Sequence, residues 1–518
     1  SLSTTGFYTH EPNSVLDLRR SPSPVKSKPA APAAANPLEY LEAEDHEVFQ
    51  TFDWDSIMRE LDVNPSNTTE PYHNLSDFLH TQPPPQLINP NSHHQYALHS
   101  DHFSDFNPGF TPPDLLLNWN THTGPPPGLD YSIQELLRAA ECFDSNDLHL
   151  AHAILERLNN NSSNNQPRGG LLQYSPFSKP LQRAASFFKE ALQKLLSPST
   201  ARLSSWSDVV STVRTYKNFS SLSPIPMFTH FTTNQAILDT IIPPFAPPTT
   251  ILHVIDFDIG LGCRYASLMR ELASTSSSSG SKPATCPFLR VTAVVTEDYA
   301  IETKLIRDSL VQFAHDLNLG FQIDFLLLRT FEMLSFKTVK FLDGEKTAVI
   351  LSQDVFRRLG ASDTLTSFVS DLRRVGPNVV VCTESEGWAA EGDMNTMSFR
   401  KGLVNSLEFY SMVFESLDEG GGGGDWGRKV EVWLMKPRVF AAVEGRRGAG
   451  GVPGPSWKEA FRGAGFRPVQ LSRFADFQAE CLLGKAQVRG FDVAKRHAEL
   501  VLCWHQRPLI ATSAWRCN

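Results

Sequence analysis

The stretch Ile251-Leu252-His253-Val254-Ile255-Asp256-Phe257-Asp258-Ile259-Gly260-Leu261-Gly262 reads as a short apolar strand running into a glycine turn. The run Ile251 to Ile255 is too short for a helix, and the turn Asp258 to Gly262 stops it. Working outward, a helix is expected from about Tyr265 to Leu272, a serine-rich loop from Ser274 to Ser281 and a second strand from Leu289 to Val295. A helix bearing Ile301, Leu305, Leu310, Phe313 and Leu317 follows and ends before Gly320. Ala348 to Leu351 and Val379 to Cys382 read as further buried strands, with a helix-period segment from Phe399 to Leu417 after them. This alternation implies βαβ units and a parallel sheet covered on both faces, an α/β fold. Towards the C-terminus, Gly420 to Gly424 reads as a hairpin-like loop before a strand Val430 to Met435. Val501 to Trp504 and Ile510 to Trp515 read as closing strands around a turn at Pro508.

In open α/β sheets the turn after the first strand is where nucleotides or S-adenosylmethionine bind. Val254 to Gly262 looks like a methyltransferase first motif, an acid followed by alternating glycines, so the sheet is expected to be methyltransferase-like, of Rossmann type. Two departures matter. Where the motif wants its first glycine the chain has Asp258, which adds bulk and a second negative charge beside Asp256. The acid expected at the end of the second strand is out of register: Val294, Val295 and Thr296 come before Glu297 and Asp298. Both favour a sheet retained for another use, so no cofactor, catalytic residue or metal ligand is assigned. No G-x-S-x-G, H-E-x-x-H or phosphate-loop pattern occurs, and Cys503-Trp504-His505 lacks metal-ligand spacing. The seven cysteines are scattered, with no C-x-x-C pair, which supports neither a disulfide framework nor a structural zinc site.

Before the sheet, from about residue 131 to 230, the period is helical. Ser132 with Glu135 has the form of a capping box, followed by Ile133, Leu136, Leu137 and Ala140 on one face. A second helix carries Leu148, Ala151, Ile154, Leu155 and Leu158; a third opens at Pro180 and aligns Leu181, Ala184, Ala185, Phe188, Leu192 and Leu195. Leu192, Leu195 and Leu196 spell L-x-x-L-L, a docking box in other settings, but they extend the core stripe, and core packing is the favoured reading.

Composition divides the 518 residues into three zones. Residues 1–130 hold 5 Lys and Arg against 17 Asp and Glu and 18 of the 36 prolines; residues 436–518 hold 14 basic against 6 acidic residues. The first zone cannot bury enough apolar surface to offset its ordering entropy and is expected to be a disordered, acidic, regulatory arm. Within it Phe49, Phe52, Trp54, Ile57 and Leu61 sit among acids, as in segments that fold on a partner's groove; a solvated linker is the plain alternative. Ser21 and Ser23, each followed by proline and preceded by Arg19-Arg20, are candidate phosphosites, with an import signal as the competing use of the arginines. The basic zone offers Arg438, Arg446, Arg447, Arg462 and Arg467 as candidate partner or phosphate contacts, without a helix-turn-helix, basic-zipper or zinc-finger pattern. Neither a run of about 18 apolar residues nor a basic flank with an apolar core is found, so no membrane partner or secretion signal is expected.

Two motifs together resemble the plant GRAS transcription regulators. Leu252-His253-Val254-Ile255-Asp256 is similar to the family's V-H-I-I-D core motif, and Ser513-Ala514-Trp515 matches its terminal S-A-W motif, supported by Trp457 and Ala464-Gly465-Phe466. Leucine-rich helices at about 131–230 and 298–334 fill the two heptad-like regions, and the likeness covers about 131–518. Asp256 to Gly262, Phe356-Arg357-Arg358-Leu359-Gly360 and Glu11 to Pro24 look like the hairy-meristem (scarecrow-like) subgroup. The resemblance implies a GRAS domain at 131–518, a helical cap at 131–230 and an α/β core at 249–518. It also implies no catalysis, a nuclear location and regulation of transcription in shoot and meristem development. The implied partners are DNA-binding transcription factors of homeodomain or zinc-finger type and other GRAS proteins, in homo- or heterodimers, with at most weak or indirect DNA contact. A methyltransferase with a degenerate first motif and a direct sequence-specific DNA binder are the alternatives.

Overall fold

The computed structural model describes residues 130–159, 172–197, 205–242, 251–277, 287–296, 299–352, 355, 362–385, 398–422, 424–448, 457–486 and 488–517. The acidic arm, Ser21 and Ser23 lie outside these residues, as do Glu297, Asp298 and the stretch 356–361. Among the described residues five helices come first: α1 (Tyr131–Asp144), α2 (Leu148–Asn159), α3 (Pro180–Leu196), α4 (Trp206–Leu222) and α5 (Ile225–Ile241). Then β1 (Ile251–Asp256), α6 (Cys263–Ser277), β2 (Phe288–Val295), α7 (Ala300–Asp316), β3 (Phe321–Leu327), α8 (Leu328–Leu334), β4 (Lys346–Ser352), α9 (Ser362–Val375) and β5 (Val379–Ser385) alternate as expected. After them run α10 (Phe399–Leu417), α11 (Asp425–Val430), a wide turn Glu431–Met435, α12 (Lys436–Gly448), α13 (Trp457–Gly463), β6 (Phe466–Val469), α14 (Arg473–Lys485), β7 (Phe491–Arg496), β8 (Glu499–Trp504) and β9 (Arg507–Cys517).

The nine strands form one sheet ordered β3-β2-β1-β4-β5-β9-β8-β7, with β6 also on β9. The first five are parallel and the rest antiparallel. This is the Rossmann-type, methyltransferase-like sheet, with its strand order reversing between β1 and β4. One apolar core joins α1, α2, α3, α10 and α12 to β8 and the start of β9; another lies over β1, β4 and β5 under α8, α9 and α13. In the first, Leu192 is fully buried and Leu195 and Leu196 pack on its edge, so the L-x-x-L-L leucines serve the core.

Four sequence expectations are corrected. Val430 to Met435 is helical, not a strand. Val430, Val432 and Leu434 alternate as a strand would, but Glu431 is fully buried and both its oxygens accept from the Arg183 Nε–H (3.1 and 3.0 Å), while Arg183 Nη2 holds Asp418 at 2.9 Å. A buried ion pair between α3 and this segment outweighs local β-preference. The cap of α1 is Asp130, whose carboxylate accepts from the Ser132 N–H at 3.1 Å, so Ser132 stands inside the helix. The closing hairpin turns at His505 and Gln506, both at positive φ, as a two-residue primed turn requires, while Pro508 lies in β9 opposite Cys503 at a register shift. Finally, the leucine-rich stretch 298–334 is not continuous helix: Phe321–Leu327 is a strand, beside β2.

Candidate functional site

At the end of β1 the chain meets the place where a sheet of this order binds ligands. The Asp256 carboxylate, fully buried, accepts hydrogen bonds from the Asp258 N–H (2.8 Å) and the Tyr265 hydroxyl (2.8 Å) and lies 3.8 Å from the Arg264 Nε. Burial pushes its carboxyl above the usual range; Arg264 and the two donors oppose that. The Arg264 guanidinium also donates to the Asp258 carbonyl, and its own carbonyl is held by Asn234 of α5 at 2.9 Å. Gly262 has φ +76°, and a Cβ there would stand 3.0 Å from Ile306 and 3.3 Å from Leu310. The glycine that would let a backbone approach a ligand instead lets α7 approach the turn. Tyr299 closes the other side, its hydroxyl donating to the Gly260 carbonyl at 2.7 Å.

His253 and Ile255 face the opposite side of β1 from Val254 and Asp256. His253 is fully buried, with Nδ1 2.8 Å from Glu345 and Nε2 2.9 Å from Thr292. Glu345 in turn pairs with Arg290 at 2.7 Å. Burial lowers the imidazole pKa, and the Glu345 carboxylate works against it. The chain Thr292–His253–Glu345–Arg290 ties β1 and β2 to the residue that leads into β4. Val254 and Ile255 are fully buried sheet core.

Ser513, Ala514 and Trp515 lie in β9 opposite Cys382, Val381 and Val380 of β5. Trp515 is 1% exposed; its ring meets Trp457 at 5.7 Å and Phe461 at 5.6 Å, both edge to face, and its Nε1–H donates to the Ser513 hydroxyl at 3.0 Å. Trp457 donates to Glu384 at 2.6 Å, and Lys458 bridges Glu384 and Glu499.

The arginines singled out by charge part company. Burial raises the Tyr216 and Tyr299 hydroxyls, and the Arg438 charge opposes that at both. Arg462 lies 5.9 Å from the Trp515 ring, and Arg467 is directly across from Arg516 in the β6–β9 pair. Arg446 and Arg447 fall in the last turns of α12. Sequence reasoning did not single out Arg264, Tyr265, Tyr299, Arg290 or Glu345. The one signal was the dipeptide Arg264-Tyr265 directly after Gly262, where an ion-pair partner for Asp256 would stand.

The profile described as the GRAS domain family matches residues 132–516. The chain belongs to the GRAS family. GRAS proteins are plant transcription regulators, and the relatives include Scarecrow-like, SCARECROW and DELLA proteins. Scarecrow-like protein 15 of Arabidopsis thaliana is 45% identical over 493 residues, 91% of this chain and 94% of that protein. Scarecrow-like protein 6 of the same plant is 34% identical over 392 residues, 76% of this chain and 64% of that protein. The crystal structure of SCL7 from Oryza sativa, 24% identical with a TM-score of 0.53, covers 74% of this chain and 99% of that one, and shares its fold. No described helix of this GRAS protein is long and apolar enough to cross a membrane.

Proposed function

We propose that this GRAS protein is a non-enzymatic nuclear regulator of transcription of the hairy-meristem subgroup. It acts in shoot and meristem development by docking on DNA-binding transcription factors of homeodomain or zinc-finger type and on other GRAS proteins. The observation that carries the non-enzymatic part is the closed turn after β1. Asp256 accepts from the Asp258 N–H and the Tyr265 hydroxyl, Arg264 stands beside it, and Ile306 fills the space in front of Gly262. A ligand carboxylate would meet Asp258 there, and a ribose would find no carboxylate among Val294, Val295 and Thr296. In this reading residues 1–130 are a regulatory arm that adds to transcriptional output, with Ser21 and Ser23 as phosphosites, and residues 131–518 are the folded domain. Arg438, Arg446, Arg447, Arg462 and Arg467 make partner or weak phosphate contacts.

The test is calorimetric titration of the whole chain with S-adenosylmethionine to millimolar concentration, beside a thermal scan. The expected outcome is no saturable heat and no shift; a true binder held at 100 times its Kd would gain about 2.7 kcal/mol. Saturable binding overturns the reading in favour of a methyltransferase. Co-purification from plant nuclei should then return stoichiometric DNA-binding proteins, and a purified chain that alone selects a DNA sequence would replace docking with direct readout.

A further inference from the structure

Phe257 follows Asp256, and because successive residues of a strand face opposite sides its ring falls on the other face of the sheet, in the core under α8 and α9. There it walls a cavity of about 150 Å³ with Phe331 and Phe368. The rings meet edge to face, Phe257 at 4.9 Å and 83° from Phe331 and at 5.8 Å and 86° from Phe368. The mouth carries Glu332, Ser335 and Asp371.

Two features set this cavity apart from a packing gap. Its volume is that of an apolar cavity that takes up benzene. Ser335 at its mouth has φ 53° and ψ −148°, a backbone conformation that side-chain-bearing residues adopt only where the surroundings impose it. What holds it is its hydroxyl, which donates to Asp371 at 2.8 Å, while Arg374 holds the other Asp371 oxygen at 2.9 Å. Strain kept in place at the rim of an aromatic cavity is a mark of a binding site rather than of the core.

We propose that this cavity binds a small arylalkyl amine, the ring lodged among Phe257, Phe331 and Phe368 and the ammonium at the Glu332 carboxylate. The sign of the ligand follows from Glu332, an exposed carboxylate with no Lys, Arg or His among the described lining residues; both Asp371 oxygens are already taken, by Ser335 and Arg374. The site lies across the sheet from the closed Asp256 turn, so it stands whether or not the regulatory reading does.

The experiment is saturation-transfer NMR and calorimetry on the full chain with 2-phenylethylamine, its neutral isostere 2-phenylethanol and the anion phenylacetate. Saturable binding of the amine is expected, with the anion at least about tenfold weaker and the alcohol between them. Glu332→Gln, on an exposed position, should weaken the amine about three- to tenfold and leave the alcohol unchanged. Ser367→Trp, on the exposed rim, should abolish binding of both while the melting transition stays in place. Equal or tighter binding of phenylacetate, amine binding that survives Ser367→Trp, or no saturable signal at about 10 mM amine each overturns the proposal.

Discussion

β1 and β9 sit in one sheet with β4 and β5 between them, and each carries one of the family's two motifs, yet they are held by different forces. In β1 the motif side chains His253 and Asp256 are polar, fully buried and hydrogen-bonded within the protein. In β9 the motif ends on Trp515, which contributes apolar area and ring contacts, with a single hydrogen bond to its own strand. Polar burial returns little net stability when complete but costs a great deal when one partner is removed. Apolar burial stabilises in proportion to area, so β9 should bear more of the domain's stability and β1 more of its specificity.

The largest effect is expected from Trp515→Ala, a loss of about 3–5 kcal/mol, against a typical total of about 5–15. Denaturant melting and partner binding should be measured side by side. Unchanged melting with lost binding would move Trp515 from the core to an interaction surface and break the comparison. Tyr265→Phe tests β1 by removing one donor from the buried Asp256 carboxylate, with an expected cost of about 1–3 kcal/mol in the same melt. A neutral result would mean that Arg264 and the Asp258 N–H suffice.

The polar side of the comparison also predicts acid sensitivity. Burial, helped by Arg264, drives the His230 imidazole from 6.5 down to about 3, with the Tyr216 hydroxyl 3.1 Å from its Nε2. Between those values the unfolded chain binds a proton that the folded chain refuses. The His230 contribution is therefore complete above about pH 6.5 and is lost as pH falls towards 3, by at most about 1.4 kcal/mol per pH unit. His253, also lowered by burial, acts with the same sign. Urea melts from pH 7.5 to 4.5 should show the decline, and His230→Gln should flatten it; equal slopes in both proteins would remove His230 from the account. The smallest effect is Arg462→Ala, which takes a guanidinium off the Trp515 ring and should cost about 0.5–1 kcal/mol. A cost near that of Trp515→Ala would make the arginine part of the β9 anchor.

The sequence by itself determined the elements whose signal is local. The apolar runs of β1, β2, β4 and β5, the stripes of α1 to α3 and the period of α10 all follow from the spacing of apolar residues, which depends only on which face is buried. The two motifs were likewise legible as sequence, and with them the strands that bracket the fold. Tertiary structure alone decided features that depend on residues far apart in the chain. Val430 to Met435 became helical because Glu431 meets Arg183, 248 residues away. Arg462 and Arg467, five positions apart and alike in charge, came to different neighbours, one onto the Trp515 ring and the other across from Arg516. The glycine turn has the pattern of a ligand site, and only tertiary structure brings α7 against Gly262 and pairs the buried Asp256 with Arg264 and Tyr265. A spacing of residues fixes which side of an element is apolar, but which groups meet across the fold is settled by how the elements pack.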